Sequence, residues 1–436
     1  LGVWAVGQSS TNSHFVHGWI LGVGYFAVAL AWIMQPFLVE WQATGWIAPF
    51  ALTAMAAGLA VFWGTAFAIV RGRKRLLICV ALFAAELART YFFTGFPWAL
   101  IGYIWIDTPL YQLAAFIGPH GMTLLTIVMA YWLAHAWSPY RLALIVLAII
   151  LQLTPNIEAL EPPHSAAVVR LIHPNVAQTD KWNPDRMEGI YQRHIELMDT
   201  DAVVDLIVWP ETSVYLPISV AQSEIAAVAQ SAYVIVGYQS NSSDNQYFNT
   251  LGIISPKGDL EMEYHKSRLV PFGEYLPFAG LASFFGVQRD TFSFGEGPST
   301  VYLPGVGNIQ PLICYEGIFP QFVGRTDIRP DLLVLITNDA WFGEGQGPAQ
   351  HFAQARARAI ELGLPMVRVA NRGVSTVIDG NGAYSASLQV EDVGFIDLAI
   401  PASLPPTFFA KYPWCITFLM TLFLVSVTFF KPQRLC

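Results

Sequence analysis

Long apolar runs near the two ends of the chain flank a central segment in which apolar and polar residues alternate. A helix that crosses a membrane needs roughly 20 mostly apolar residues. Runs of this kind, the fifth shorter than the others, predict spans at about 14–35, 46–70, 75–93, 118–137, 140–155 and 412–430. The pattern therefore predicts five spans before the central segment and one after it. Residues 94–117, which are rich in aromatic side chains and contain proline, predict an interfacial or re-entrant segment.

Basic residues between the predicted spans indicate how the chain runs across the membrane, because lysine and arginine concentrate on the cytoplasmic side. Strict alternation of the spans places all the basic clusters on one side: Arg71, Arg73, Lys74, Arg75, Arg141, Lys431 and Arg434. The central segment then lies on the opposite side. This predicts an extracytoplasmic domain, which is periplasmic in a cell with two membranes.

The third predicted span contains two charged residues, Glu86 and Arg89, three positions apart on one helical face. Charges inside a membrane are costly and are usually paired or functional. We favour an ion pair within the helical bundle over a contact with lipid headgroups.

The central segment has the strand and helix patterns of a layered α/β domain. Strand-like runs occur at 166–172, 204–209, 233–238, 249–254, 260–265, 309–313, 331–336, 366–370, 374–378 and 393–400. Helical patterns occur at about 184–201, 217–231 and 348–362, and 256–259 and 379–382 have the composition of hairpin turns. Mixed hairpins and β-α units favour a layered domain over a purely parallel sheet.

Composition supports this division and excludes some functions. The chain is 54% hydrophobic and 12% charged, whereas ordinary globular proteins are about 25% charged. A net charge of −8 without a basic stripe argues against nucleic-acid binding. The four cysteines show no spacing typical of a metal site or a disulfide framework. The sequence therefore implies no metal and no organic cofactor.

Three chemically reactive residues each follow a strand-like run: Glu211, Lys266 and Cys314. A thiolate is a strong nucleophile, a carboxylate can act as its general base, and an ammonium can hold an oxyanion. Together they form a set suited to acyl transfer. Glu274 lies in a segment rich in glycine, proline and aromatic residues, 271–277, from which it can orient Lys266 or assist the base.

Each of these residues also has an ordinary structural explanation. A lone cysteine is more often a buried core residue, a carboxylate after a strand can begin a helix, and a lysine at a strand edge is commonly solvated. The polar residues Tyr315 and Glu316 directly after an apolar strand favour a functional Cys314, since sites gather at the carboxyl ends of strands.

These segments resemble motifs of the carbon–nitrogen hydrolase, or nitrilase, superfamily. With the flanking spans, they resemble the apolipoprotein N-acyltransferase family within it. The similar segments are Trp209-Pro210-Glu211, His265-Lys266 continuing through 269–275, Cys314-Tyr315-Glu316, 338–343, Gln350-His351 with Ala355-Arg356, 22–26 and 94–98.

The resemblance implies a nitrilase-like αββα sandwich for residues 158–405. It also implies a membrane helical bundle for 1–157, completed by a C-terminal helix and tail in 406–436. Glu211 is then the general base, Lys266 the oxyanion stabiliser and Cys314 the nucleophile. Accessory roles in oxyanion stabilisation or substrate binding fall to Glu274, Tyr315, Glu316, Trp182, Asn249, Trp341 and Phe342. For the three aromatic residues Trp182, Trp341 and Phe342, core packing is the common alternative.

The resemblance also implies the substrates and the location. A fatty acyl chain would pass from a membrane phospholipid, for which we expect phosphatidylethanolamine, through a Cys314 thioester to the N-terminal amine of diacylglyceryl-cysteine on an apolipoprotein. The site would lie on the periplasmic side of the bacterial inner membrane. The apolar stretch 272–294 is expected to dip into the headgroups and guide acyl chains. Members of the family usually have two more N-terminal spans than we count, so we expect those spans to be missing from this sequence.

Two other functions compete with acyl transfer between lipids. A membrane-tethered amidase or nitrilase would use the same three residues with water as the acyl acceptor. A catalytically dead relative would bind lipid without chemistry. The apolar stretch and the many spans argue against the first, and the intact set of Glu211, Lys266 and Cys314 argues against the second.

Overall fold

The computed structural model describes residues 11–70, 76–135, 138–154, 166–277 and 291–429. The chain divides into two compact units, a helical unit within 1–157 and 406–436 and a sandwich unit within 158–405. The basic clusters at 71–75 and 431–434, and most of the apolar stretch 272–294, lie outside the described residues.

The α-helices are α1 Thr11–Ala29, α2 Gln35–Leu38, α3 Trp41–Thr44, α4 Ala48–Ile69, α5 Leu77–Tyr91, α6 Ala114–His135, α7 Ser138–Leu153, α8 Pro184–Met198, α9 Ile218–Ala229, α10 Gln346–Leu362, α11 Phe408–Lys411 and α12 Cys415–Phe429. Short 3₁₀ helices occur at Ala31–Met34, Gly45–Ile47, Ile101–Trp105, Pro109–Leu113, Cys314–Ile318 and Asp339–Phe342. The three helices predicted for the central segment are confirmed as α8, α9 and α10.

Each of the six segments predicted to span a membrane contains helix within the described residues, and these helices differ in length. The stretches Trp41–Ile69 and Pro109–Ala134, with mean hydropathies of 1.8 and 1.6, are each long and apolar enough to cross a membrane. A third span is present if His14–Ala29 and Ala31–Leu38, which meet at 64°, are one bent span. The first predicted span is thus not one straight helix, because the chain leaves helical geometry at Leu30. Six spans remain a prediction.

A backbone break at Gly118 interrupts α6 near its start, at the first residue of the predicted span 118–137. Gly118 has φ +67° and ψ 178°, and Pro119 follows it. Proline has no N–H to contribute to the preceding turn, so the break leaves no orphaned donor at that position. A Cβ on Gly118 would lie 2.3 Å from the Phe409 ring. Both the left-handed backbone and this contact therefore require glycine.

The two charges of the third predicted span form a buried ion pair, as predicted. Glu86 Oε2 lies 2.6 Å from Arg89 Nη2, and neither side chain is exposed. The indole of Trp63 on α4 donates to Glu86 Oε1 at 2.8 Å. Arg89 Nη1 donates to the carbonyl oxygens of Phe96 and Trp98. The pair therefore fastens α5 to α4 and to the irregular segment that follows α5.

The sandwich unit contains the strands β1 Val168–His173, β2 Leu206–Val208, β3 Tyr233–Asn241, β4 Tyr247–Ile254, β5 Leu260–His265, β6 Val301–Leu303, β7 Gly307–Ile313, β8 Leu332–Asn338, β9 Met366–Asn371, β10 Ser375–Ile378, β11 Ser387–Leu388 and β12 Gly394–Ala399. All ten predicted strands are confirmed. The sequence pattern missed β6 and β11, which are three and two residues long, too short to show alternation.

These strands form two six-stranded sheets, in the orders β12-β1-β2-β3-β4-β5 and β11-β10-β9-β8-β7-β6. Each sheet has three central parallel strands, β1-β2-β3 and β7-β8-β9, with antiparallel strands at both sides. The central strands are almost continuously apolar, as expected of strands covered on both faces.

Facing side chains from both sheets share one core, which includes Val208, Ile235, Ile313 and Ile336. The outer face of the first sheet packs on α8 and α9 through residues such as Trp209, and α10 contacts β9 of the second sheet. The predicted αββα fold class is therefore confirmed. Lys266 and Cys314 directly follow the last residues of β5 and β7, and Glu211 lies three residues past the end of β2. The two sheets bring these strand ends together.

We predict that Ile235→Ala lowers the free energy of unfolding of the sandwich unit by about 2–5 kcal/mol, because it opens a cavity between the sheets. Ile235 is fully buried, whereas the control residue Ile328 is 61% exposed. Thermal melts of the full chain in detergent should show a midpoint several degrees lower for Ile235→Ala and unchanged for Ile328→Ala. Equal midpoints for the two variants would contradict the shared core.

Candidate active site

Glu211 stands on a sharp turn directly after β2. The backbone N–H groups of Ser213 and Val214 donate to the carbonyl oxygen of Gly237 at 2.7 and 3.0 Å, so the turn wraps around β3. A Cβ on Gly237 would lie 2.5 Å from the Thr212 nitrogen and 2.8 Å from Glu211 Cα. The close approach requires glycine at this position, and it directs the buried Glu211 side chain towards the ends of the neighbouring strands.

Lys266 follows β5, and its backbone N–H and carbonyl oxygen are both hydrogen-bonded. Its N–H donates to Asn249 O at 2.8 Å, and its carbonyl oxygen accepts from Gly295 N at 2.9 Å. The side chain is only 1% exposed. The two backbone hydrogen bonds and the burial of the side chain hold the ammonium in the site.

Two carboxylates share the Lys266 ammonium. Nζ lies 2.8 Å from Glu274 Oε1 and 3.3 Å from Glu211 Oε1. The amide of Asn249 donates to the same two oxygens, at 3.1 and 2.8 Å. Glu211 Oε2 accepts from Asn338 N at 2.9 Å, and Glu274 Oε2 from Val270 N at 2.8 Å. The structure therefore brings Glu211, Lys266, Glu274 and Asn249 into one buried network.

Cys314 follows β7 in a left-handed backbone conformation, with φ +49°. Non-glycine residues rarely adopt this conformation, and it costs on the order of 1–3 kcal/mol. The residue opens the 3₁₀ helix Cys314–Ile318 and is 7% exposed. A sharp strand-to-helix turn of this kind presents the thiol at the strand end.

Glu316 supports that turn on the side that precedes Cys314. Its Oε2 accepts from Ile313 N at 2.8 Å. Its Oε1 accepts from the Tyr264 hydroxyl at 2.8 Å and from the backbone N–H groups of Ser267 and Arg268 at 2.7 and 3.2 Å. Burial raises the Glu316 pKa, and these donors oppose that rise. Glu316 thus ties the turn at Cys314 to the residues that follow Lys266.

His351 supports the turn from the other side and was not assigned a role from the sequence. Its Nε2 donates to Cys314 O at 3.3 Å, and its Nδ1 lies 2.9 Å from Asp339 Oδ1. Asp339 is in turn bonded to Arg368 Nη2 at 2.6 Å and to the Thr337 hydroxyl at 2.9 Å. Arg368 and His351 hold the pKa of Asp339 well below its usual range despite its burial. The carboxylate therefore stays charged and fixes the imidazole.

In the resting site, burial and the neighbouring charges keep the Cys314 thiol protonated. Burial, and then the Glu211 carboxylate, raise the pKa of the Cys314 thiol, against the opposing effect of Lys266. Burial also acts to raise the pKa of Glu211, but Lys266, Lys181 and Asn249 together lower it. Glu211 and Glu274 raise the pKa of Lys266 and outweigh its burial. The resting site thus holds a thiol, an ammonium and a carboxylate able to accept the thiol proton.

The aromatic residues predicted as accessory differ in their surroundings. Trp182 and Trp341 are 47% and 41% exposed, so neither is a core residue. Trp182 meets Tyr215 edge to face. Phe342 meets the His351 ring edge to face, and Tyr315 packs against Phe319 in the same way.

Of the apolar stretch 272–294, only its two ends belong to the part of the chain that the structure describes. Phe272 is 70% exposed and Phe294 is 57% exposed. The Phe294 ring contacts Tyr275 edge to face. Phe278, Leu281, Phe284 and Phe285, for which we expect contact with lipid, lie outside the described residues.

Lys181 is a second buried lysine near the network that the sequence did not reveal. Its Nζ donates to the main-chain oxygen of Glu211 at 2.8 Å. The only signal in the sequence is its position beside Trp182. Within the described ranges, no group of three or more His, Cys, Asp and Glu side chains is arranged to hold a metal.

Two family models and several relatives together match most of the chain. A carbon-nitrogen hydrolase family model matches residues 175–403. An apolipoprotein N-acyltransferase N-terminal domain model matches residues 1–132. An apolipoprotein N-acyltransferase of Rhizobium leguminosarum is 34% identical over 88% of this chain and 80% of its own length.

A second relative with the same description, from Caulobacter vibrioides, is 34% identical over 90% of this chain and 81% of its own length. Among solved structures, a CN-hydrolase superfamily protein from Xanthomonas campestris is 21% identical. It covers 59% of this chain and 96% of its own, with a TM-score of 0.41.

We predict that His351→Leu slows alkylation of Cys314 by iodoacetamide about tenfold or more, because the turn loses its support at the carbonyl of Cys314. His351→Gln, which keeps a donor, should recover part of the rate. His173, equally buried and bonded to Ser375, supplies the control His173→Leu. Alkylation is followed by mass spectrometry of the Cys314 peptide, with thermal melts alongside. If His173→Leu slows alkylation to the same extent, the effect of His351→Leu is general destabilisation and the prediction is wrong.

Proposed function

The chain belongs to the apolipoprotein N-acyltransferase family of the carbon-nitrogen hydrolase superfamily, and we propose that its acyl transfer proceeds through a thioester on Cys314. The observation that carries this proposal is the buried contact of Glu211 and Lys266 next to a thiol on a strained turn. In this scheme a base, a fixed cation and a nucleophile converge at the ends of three strands.

The first half-reaction forms the acyl-enzyme. Cys314 Sγ attacks an ester carbonyl carbon of a membrane phospholipid while Glu211 takes the thiol proton. The carbonyl oxygen becomes an oxyanion that Lys266 stabilises by charge. The tetrahedral intermediate then breaks the ester C–O bond, and Glu211 returns the proton to the departing alkoxide. The products are a lysophospholipid and a thioester on Cys314.

The raised pKa of Cys314 and the lowered pKa of Glu211 determine how the proton moves. A free thiolate is scarce in the resting site, so proton transfer accompanies formation of the S–C bond instead of preceding it. Lys266 remains charged beside its two carboxylates and is positioned before the oxyanion develops.

The second half-reaction uses the same groups with an amine. The N-terminal α-amine of diacylglyceryl-cysteine on an apolipoprotein attacks the thioester carbonyl, and Glu211 takes a proton from the attacking nitrogen. Collapse of the intermediate breaks the C–S bond, and Glu211 returns that proton to the sulfur. The product is an N-acylated lipoprotein and a free thiol at Cys314.

We further infer where this chemistry occurs. The chain is a membrane protein, given its family and its apolar helices. The Lys and Arg positions support a multi-pass inner-membrane protein with the sandwich unit on the periplasmic side. Phosphatidylethanolamine is the donor that we propose.

A membrane-tethered amidase is the second candidate. The exposed Trp182, Trp341 and Phe272 favour an apolar acyl chain over a small polar amide. The amidase and the acyltransferase differ in the acyl acceptor, because in the amidase water would hydrolyse the same Cys314 thioester. A dead lipid-binding relative would form no thioester.

We predict that the chain takes up a hydroxylamine-labile label from phosphatidylethanolamine labelled in its sn-1 chain. Cys314→Ala should take up none. Cys415 is a free and exposed cysteine, so Cys415→Ala is the matched control and should be labelled like the original chain. A diacylglyceryl-cysteine peptide should discharge the label much faster than water.

The other outcomes separate the candidates. Discharge by water at the same rate as by the peptide would favour the amidase. Labelling from phosphatidylglycerol but not from phosphatidylethanolamine would contradict the proposed donor and would still support a thioester on Cys314. An unlabelled chain whose Cys314 still reacts with iodoacetamide would contradict the thioester mechanism.

A further inference from the structure

Lys181 is a buried ammonium to which the proposed mechanism assigns no step. It is only 3% exposed and lies in the turn before α8, where its own N–H donates to Ala177 O at 3.1 Å. Nζ makes its single hydrogen bond among the described residues to the main-chain oxygen of Glu211. Burying a lysine is costly unless nearby negative charge compensates it.

The network around Lys266 lacks one positive charge. Glu211 is buried, the Glu274 side chain is 14% exposed, and the two carboxylates share one ammonium and one Asn249 amide. Two carboxylates against one lysine leave a single uncompensated negative charge. A second carboxylate close to Glu211 disfavours the charged form of Glu211, because like charges repel.

Lys181 supplies the missing charge. Its ammonium interacts with Glu211 and lowers the pKa of that carboxyl, and Glu211 and Cys314 both act on Lys181 in return. Burial lowers the pKa of Lys181 to about 8, so it is still mostly charged at neutral pH. With Lys181 counted, two ammonium groups balance two carboxylates.

We propose that Lys181 is the second counter-ion of the site: its charge offsets that of the Glu211 carboxylate beside Glu274, and its hydrogen bond fixes the backbone of the general base. Lys181 acts through Glu211 and is a positioning residue. This role rests on the proposed functions of Glu211 and Cys314.

The other titratable group facing Lys181 does not compete for this role. His194 on α8 stacks on Trp209, the second residue before Glu211. Burial, and further Lys181 and Arg193, lower the pKa of His194 to about 4 against the opposing bond to Ile190 O. His194 is therefore neutral near pH 7 and adds no charge beside Lys181.

The test is the rate of Cys314 alkylation by iodoacetamide, measured on the full chain from about pH 5 to about pH 9. No acyl donor or acceptor takes part, so failure of this role is distinguishable from failure of the acyl-transfer proposal. The variants separate charge from hydrogen bonding. Lys181→Gln keeps a donor without charge, Lys181→Met keeps neither, and Lys181→Arg stays charged at every pH. The exposed turn lysine Lys257 supplies the control Lys257→Gln.

Protonation of Glu211 sets the acid limb of this profile, so loss of the counter-ion moves the limb to higher pH. Lys181→Gln should raise its midpoint by about 1–3 pH units and recover rate as pH rises. Lys181→Met should show the same shift with a lower plateau. Lys181→Arg and Lys257→Gln should keep the original midpoint. A structural role alone would lower the plateau without moving the limb.

An unchanged midpoint in Lys181→Gln overturns the proposal. If that variant does not melt cooperatively, Lys181→Gln combined with Glu274→Gln decides the matter, because this pair removes one charge of each sign. A cooperative melt for the pair supports charge compensation, and failure of the pair to fold overturns it.

Discussion

The ammonium of Lys266, shared by the carboxylates of Glu211 and Glu274, is the interaction on which the site depends. A single buried carboxylate would take up a proton, and a single buried lysine would lose one, since burial disfavours either charge alone. The contact between Glu211 and Lys266 opposes the effect of burial on both groups, because it lowers the pKa of Glu211 and raises the pKa of Lys266. The two sheets supply the conditions for this arrangement. Glu211 and Lys266 come from one sheet, and Cys314 comes from the other.

Much of the fold and the central residues of the site could be predicted from the sequence because their signals are local. The strands are continuous apolar runs bounded by turn residues, and Glu211, Lys266 and Cys314 each stand just past such a run. Resemblance to a known family then added accessory residues such as Asn249, which proves to donate to both Glu211 and Glu274. Glu211, Lys266 and Cys314 could be recognised from their own neighbours in the chain, whereas Asn249 needed the family resemblance.

The residues that were missed take their roles from distant partners. Lys181 lies 30 positions before Glu211, and the support of Cys314 by His351 crosses 37 positions. Nothing in a local pattern shows that a given lysine or histidine will meet those atoms. In the helical unit, the bend at Leu30 was missed for another reason. Hydropathy reports how apolar a segment is, but it does not report whether the backbone stays helical across it.

Glu316 and His351 hold the turn at Cys314 by the N–H of Ile313 and the carbonyl of Cys314, atoms that every residue other than proline would provide. The identity of the side chain at position 314 is therefore independent of the bonds that shape the turn around it. In evolutionary terms, a lineage can lose this thiol through a single codon change without rebuilding the scaffold. Because the scaffold persists, one reverse change restores the thiol. Inactive and active descendants of such a protein should thus lie one substitution apart.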